Sequence, residues 1–94
     1  MHRIECSPRF SLGRKVITSS ARHELTWVDI AAGLRRHVSG DWGEVDEFDW
    51  TVNDDALEFG DRLLSVYRAA CGTVFWIITE RDRSLTTILL PEEH

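Results

Sequence analysis

The chain has little of what usually announces a reaction. Of its 94 residues only two are cysteine (Cys6 and Cys71), two are proline and six are glycine. A disulfide scaffold of this length carries roughly four to eight cysteines, so both thiols are expected free, in a reducing compartment. His2, His23, His37 and His94 stand at no ligand spacing such as C-x2-C or H-x3-H, so no metal site is expected. There is no P-loop, no G-x-G-x-x-G and no G-x-S-x-G, so no cofactor is expected either. No apolar run approaches the roughly 18 residues of a membrane span, and residues 1–10 lack the apolar centre of a signal peptide. The expectation is a cytoplasmic protein with no membrane partner. Few Gly and Pro, with 43% hydrophobic and 29% charged residues, exclude a disordered or collagen-like chain. One domain over residues 1–94 follows, with residues 1–9 expected to fray.

The most informative absence is of positive charge in one segment. Residues 1–40 carry seven Lys/Arg and three acids. Residues 41–61 carry nine acids (Asp41, Glu44, Asp46, Glu47, Asp49, Asp54, Asp55, Glu58, Asp61) and no Lys or Arg. Residues 62–94 carry four of each, and the three regions return the formal charge of −5. A solvated helix usually interleaves signs to gain i,i+4 pairs, and this segment forgoes that gain.

Apolar spacing and capping residues sketch the elements. Phe10 to Thr18 reads as a short strand, and Thr18-Ser19-Ser20 offers hydroxyls to cap a turn of helix over Ala21–Leu25. Thr26 with Asp29 forms a capping box, followed by a stripe of Trp27, Ile30, Ala31, Leu34 and Val38. Arg35, Arg36 and His37 crowd the last turn, where cations suit the helix dipole, and Gly40 stops it. Asp46 is the next N-cap, with Val45 and Trp50 as a hydrophobic staple. In that helix Val45, Val52, Ala56 and Phe59 share one side, flanked by Leu57. Glu47, Asp54, Glu58 and Asp61 fall within about 60° on the other, with Asp55 at the flank. Gly60 is the stop. Three strands follow, Arg62–Arg68, Thr73–Glu80 and Ser84–Leu90, joined by short turns and closed by Pro91. The predicted fold is α+β. Two helices lie on one face of a three- to four-stranded antiparallel sheet in the order β-α-α-β-β-β, with the first strand at an edge.

Several residues invite chemistry. Asp41 and Glu44 beside Trp42 are the nearest pair for general acid–base work, which requires a cleft and a raised pKa. The acidic run lacks the alternation of a calcium loop. Trp42, between Gly40 and Gly43, reads either as a lid over the core edge or as an anchor for a partner. Trp27, Trp50, Phe75 and Trp76 read as core or core margin. Asp82 and Arg83 read as a local ion pair, with Thr79, Thr86 and Thr87 in cross-strand contact.

The stretches His37-Val-Ser-Gly-Asp-Trp-Gly-Glu44, Asn53-Asp54, Arg62-Leu-Leu-Ser-Val-Tyr67, Trp76-Ile-Ile-Thr-Glu80 with Asp82-Arg-Ser84, and Thr86-Thr87 with Leu89-Leu-Pro-Glu-Glu93 are similar to those of a family. The chain resembles small uncharacterised proteins encoded on plasmids, integrative elements and related mobile DNA of bacteria. The resemblance spans about residues 10–94, with departures at His94 and at Trp50. It implies a setting in which small acidic proteins inhibit nucleic-acid-binding defence complexes.

The expectation is therefore a non-enzymatic acidic protein, an anti-CRISPR or anti-restriction inhibitor. Asp41, Trp42, Glu44, Glu47, Asp54, Asp55, Glu58 and Asp61 would meet a basic host surface, with no direct nucleic acid contact. One alternative is a nucleic-acid-binding regulator using Arg14, Lys15, Arg35 and Arg36 on phosphates. Another is a small enzyme. The edge of the sheet leaves a homodimer open.

Overall fold

The computed structural model of the protein describes residues 8–94. Cys6, His2 and most of the segment expected to fray lie outside the described residues. The elements run β1 (Arg14–Ile17), α1 (Ser19–Glu24), α2 (Trp27–Val38), α3 (Glu47–Phe59), β2 (Leu63–Arg68), β3 (Val74–Thr79) and β4 (Leu85–Leu89), then a 3-10 turn over Pro91–Glu93. The α+β class and the element order stand, with α1 as a third, short helix.

Local capping chemistry explains the helix starts. The Thr18 hydroxyl accepts from the Ala21 N–H at 3.2 Å. Thr26 and Asp29 exchange both bonds of a capping box, each at 3.1 Å. The Asp46 carboxylate accepts from the Asp49 N–H at 2.8 Å. Gly60 ends α3 in the left-handed conformation (φ 80°, ψ 33°).

The sheet has the order β1-β4-β3-β2. Strands β2, β3 and β4 form the expected antiparallel meander, but β1 pairs with β4 in parallel, so the sheet is mixed. Gly13 permits the close seating of β1 on β4. It sits at φ 62° against the Arg83 and Ser84 backbone, where even a Cβ would collide with the Arg83 carbonyl oxygen. The β1 ladder opens beside the start of β4, with Arg14 N–H donating to Ser84 O at 3.0 Å, and the register pairs Arg14 with Leu85 and Ile17 with Ile88.

Helices α1 and α2 pack on one face of this sheet. Ala21, Leu25 and Ile30 meet Tyr67, Phe75, Ile77 and Ile88 in the main core. The stripe predicted for α2 is rotated by part of a turn. Ile30, Gly33 and His37 are buried, while Trp27 and Ala31 are exposed. Gly33 permits the close approach, since a Cβ there would press on the Phe75 ring at 3.0 Å.

His37 is not a helix-end cation but the centre of a buried polar chain. Its Nδ1 lies 2.6 Å from Ser65 Oγ and its Nε2 2.9 Å from Thr79 Oγ1. Thr79 Oγ1 lies 2.8 Å from Thr86 Oγ1, which donates to the Leu12 carbonyl at 2.6 Å. The hydrogens follow from the far end. Thr86 spends its proton on Leu12, so Thr79 donates to Thr86 and must accept from His37. The imidazole is then the Nε2–H tautomer, with Ser65 donating to Nδ1. Burial, helped by the nearby Arg83 charge, depresses the His37 pKa to about 3.

Helix α3 lies along β2, the edge strand. Its orientation is set by Asn53, whose side-chain amide donates to Leu64 O at 2.7 Å and accepts from Leu64 N–H at 3.0 Å. The next outward backbone pair on β2 is filled by the preceding turn: Glu44 N–H donates to Val66 O at 2.7 Å, and Val66 N–H to Trp42 O at 3.1 Å. An exposed edge would leave these four groups open to pairing, and here all are satisfied. Gly43 makes this approach possible at φ 79°, where a Cβ would strike the Val66 carbonyl oxygen.

Arg83 completes the frame. It does not pair with Asp82, which instead accepts from the Ser84 N–H (3.0 Å) and hydroxyl (2.6 Å). Its guanidinium donates to Ala56 O at 3.2 Å and to Asp61 O at 2.6 Å, binding the carbonyl-rich end of α3. The cross-strand contact expected between Thr79 and Thr86 is present.

Candidate partner-binding surface

The eight candidate residues separate into two groups once the chain folds. Asp41 receives Arg36 through two bonds, at 2.8 and 3.2 Å, and also accepts from the Gly43 N–H. The Arg36 bond holds its carboxyl below the usual range. The Asp41 carbonyl takes the Tyr67 hydroxyl at 2.6 Å, and Arg36 lies over the Tyr67 ring at 4.8 Å. Glu44 is gripped by Arg68 at 3.3 and 3.2 Å. Asp61, beyond the end of α3, lies 3.6 Å from Arg81. Segment arithmetic counts these acids as uncompensated, but the fold brings Arg36, Arg68 and Arg81 to them from other elements.

Trp42 must be corrected as a partner anchor, because it is 0% exposed. It nucleates a second core cluster with Ala56 and Leu63, against which Phe10, Val45, Trp50 and Leu57 pack. Its ring stacks on Phe10 at 6.3 Å and meets His37 edge-on at 5.7 Å. Its N–H donates to Asp54 at 2.9 Å, so Asp54 is a partner of the core as well as a surface carboxylate.

Three candidate acids remain. Glu47, Asp55 and Glu58 are exposed on the outer side of α3, and no side-chain hydrogen bond or ion pair engages them among the described residues. Glu47 and Glu58 lie about 16 Å apart along the helix axis. The first turn of α3 adds Asp49, also exposed.

That outer side is not purely acidic. Phe48, Val52 and Phe59 are 75%, 47% and 74% exposed. Val52 and Phe59 belong to the side predicted to face the core. Anchoring by Asn53 rolls α3 so that Asn53 and Ala56 face inward and these two turn to solvent. At 100° per residue Phe48, Val52 and Phe59 fall within about 40° of one another. Asp55 and Glu58 border the stripe on one side and Asp49 on the other. The three residues stand at i, i+4 and i+11 in sequence, and the core placement expected for Val52 and Phe59 hid the exposure of the stripe. A shallow cavity of about 260 Å³ opens beside Val52, lined by Asp49, Val52, Asn53, Arg62, Leu64 and His94.

The residues of the two alternative functions are also placed. Arg14, Lys15 and Arg35 are exposed, but Arg36 is committed to Asp41. The Asp41 pKa moves in the direction opposite to that of a general acid, and neither Asp41 nor Glu44 lines the cavities beside α1, beside Val52 or beside Phe10. Among the described residues no group of three or more His, Cys, Asp or Glu is placed to hold a metal ion, and no helix is long and apolar enough to cross a membrane. Cys71 is exposed in the β2–β3 turn, 3.3 Å from the Thr73 hydroxyl. Comparison with protein-family models, with curated proteins and with solved structures finds no match to this chain.

Proposed function

We propose that this chain is a non-enzymatic, cytoplasmic binding protein of a bacterial mobile element, an anti-CRISPR or anti-restriction inhibitor. The outer side of α3 occupies a basic surface that a host defence complex uses for nucleic acid. The observation that carries this reading is the set Glu47, Asp55 and Glu58, exposed and unengaged among the described residues. Carboxylates with intramolecular partners are already spoken for, whereas these three remain available to cations on another molecule.

The physics supports electrostatic capture. Duplex DNA carries one charge per roughly 1.7 Å of axis, so a surface evolved for it is dense in Lys and Arg. An acidic helix face approaching such a surface is steered, and its association rate falls as salt rises. The sparser charge on α3 implies engagement of a few cations rather than imitation of a continuous phosphate backbone. The resemblance to mobile-element proteins supplies the biological setting.

The test is a transformation assay in a host whose restriction or CRISPR system targets the incoming plasmid. The wild-type chain should raise transformation efficiency, and Glu47→Lys with Asp55→Lys and Glu58→Lys should abolish the gain while the melting temperature stays unchanged. Full protection by the charge-reversed protein would defeat the reading.

A further inference from the structure

We infer that the outer face of α3 receives a basic amphipathic helix of its protein partner. The partner's apolar side seats on Phe48, Val52 and Phe59, and its flanking Lys or Arg residues meet Asp49, Asp55 and Glu58. The inference rests on the acidic-surface reading and deepens it by naming what the partner must present.

Exposure of three large apolar side chains along one stripe is unusual for a helix that also carries unengaged acids. Scattered surface hydrophobics need no explanation, but these three recur at helical spacing over about 16 Å. The spacing of four, then seven, is what a helix lying alongside would meet turn by turn.

Charge selects the occupant. Asp55 borders the stripe next to Phe48, with Glu58 beyond it on the same side and Asp49 on the opposite side. A second copy of α3 laid against this face would bring carboxylates against carboxylates, which disfavours a homodimer here. An anionic membrane or a nucleic acid would be repelled for the same reason. A helix with an apolar stripe bordered by Lys or Arg satisfies both features at once, and places a cation opposite Asp55. Acids then govern the encounter and the apolar stripe governs residence.

The experiment uses three synthetic peptides as probes of the whole chain. The first is helical, with leucines at alternating spacings of three and four bordered by lysines. The second is its scramble, and the third is a lysine-rich peptide without leucine. Binding is followed by fluorescence anisotropy at low and moderate salt. The striped peptide should bind at least about 10-fold more tightly than either control. Phe48→Ser with Phe59→Ser should remove about that 10-fold preference and leave the weak, salt-sensitive binding of the controls intact. Equal affinity for striped and scrambled peptides would overturn the inference while leaving the acidic surface standing. Loss of all cationic peptide binding, together with full protection by the charge-reversed chain in the transformation assay, would remove the underlying reading too. Sedimentation as a dimer that Phe48→Ser with Phe59→Ser dissolves would assign the face to a second copy, against the inference.

Discussion

In the turn before α3, Asp41 and Glu44 each face an arginine supplied by another element. On the outer side of α3, Glu47, Asp55 and Glu58 face none among the described residues. Both sets come from the same acidic run of the chain. Trp42 in the turn is wholly buried, and Phe48 and Phe59 on the helix are largely exposed, whereas Trp50 packs from the inner side of the helix onto the Trp42 cluster. The turn spends its polar and apolar groups on closing the edge of β2. The helix spends one face on that task, through Asn53 and Ala56, and leaves the other available to another molecule.

The sharpest test of this division is truncation of aromatics on either side of it. Trp42→Ala should cost about 3–5 kcal/mol, because it removes the centre of a cluster and orphans the contacts to Phe10 and His37. Phe59→Ala should leave the melting temperature nearly unchanged. Equal losses in denaturant unfolding would erase the distinction.

Next in size is an acid sensitivity that belongs to the core and not to the acidic surface. Neutral His37 has a folded pKa of about 3, well below the unfolded value of 6.5. The unfolded state therefore binds the extra proton as pH falls below 6.5, and stability declines with falling pH down to about 3. Between pH 7 and pH 5 the loss should be about 2 kcal/mol. Asp41, held below its usual pKa by Arg36, acts in the same direction but only at lower pH, as it protonates. In His37→Gln the slope between pH 7 and 5 should flatten, whatever the absolute stability of the variant. An unchanged slope would show that another group titrates in that window.

Smaller still is the effect of Asp41→Asn. The Arg36 pair is about half exposed, which limits its worth to about 0.5–1 kcal/mol. Removing it should lower the melting temperature modestly and reduce its sensitivity to salt. Glu58→Gln should do neither.

What the sequence made legible was local. Thr26 with Asp29, Asp46 and Gly60 mark their helix ends because capping depends on residues three or four apart. The meander is legible for the same reason, its strands being joined by short turns. The parallel seat of β1 was not, because β1 pairs with β4 across most of the chain, with Gly13 meeting the Arg83–Ser84 backbone. The face of α3 was misassigned because apolar count favoured Val52 and Phe59, whereas the two bonds from Asn53 to the β2 backbone decide the matter. A signal for His37 did exist, since Ile30, Gly33 and His37 lie on one helical face. The neighbouring Arg35 and Arg36 made a charged reading more attractive. Of the candidate site, the acidic character of α3 was readable. The employment of Asp41, Glu44, Asp54 and Asp61 within the fold was not, because their partners are distant in sequence.

The most direct measurement sets two neutralised proteins side by side in the transformation assay and in thermal unfolding. One carries Glu47→Gln, Asp55→Asn and Glu58→Gln. The other carries Asp41→Asn, Glu44→Gln and Asp61→Asn, so both lose the same number of charges. The first should melt like the wild type and lose protection against host defence, and the second should melt lower and keep it. Protection that survives in the first and vanishes in a still-folded second would contradict the assignment of the partner surface to α3.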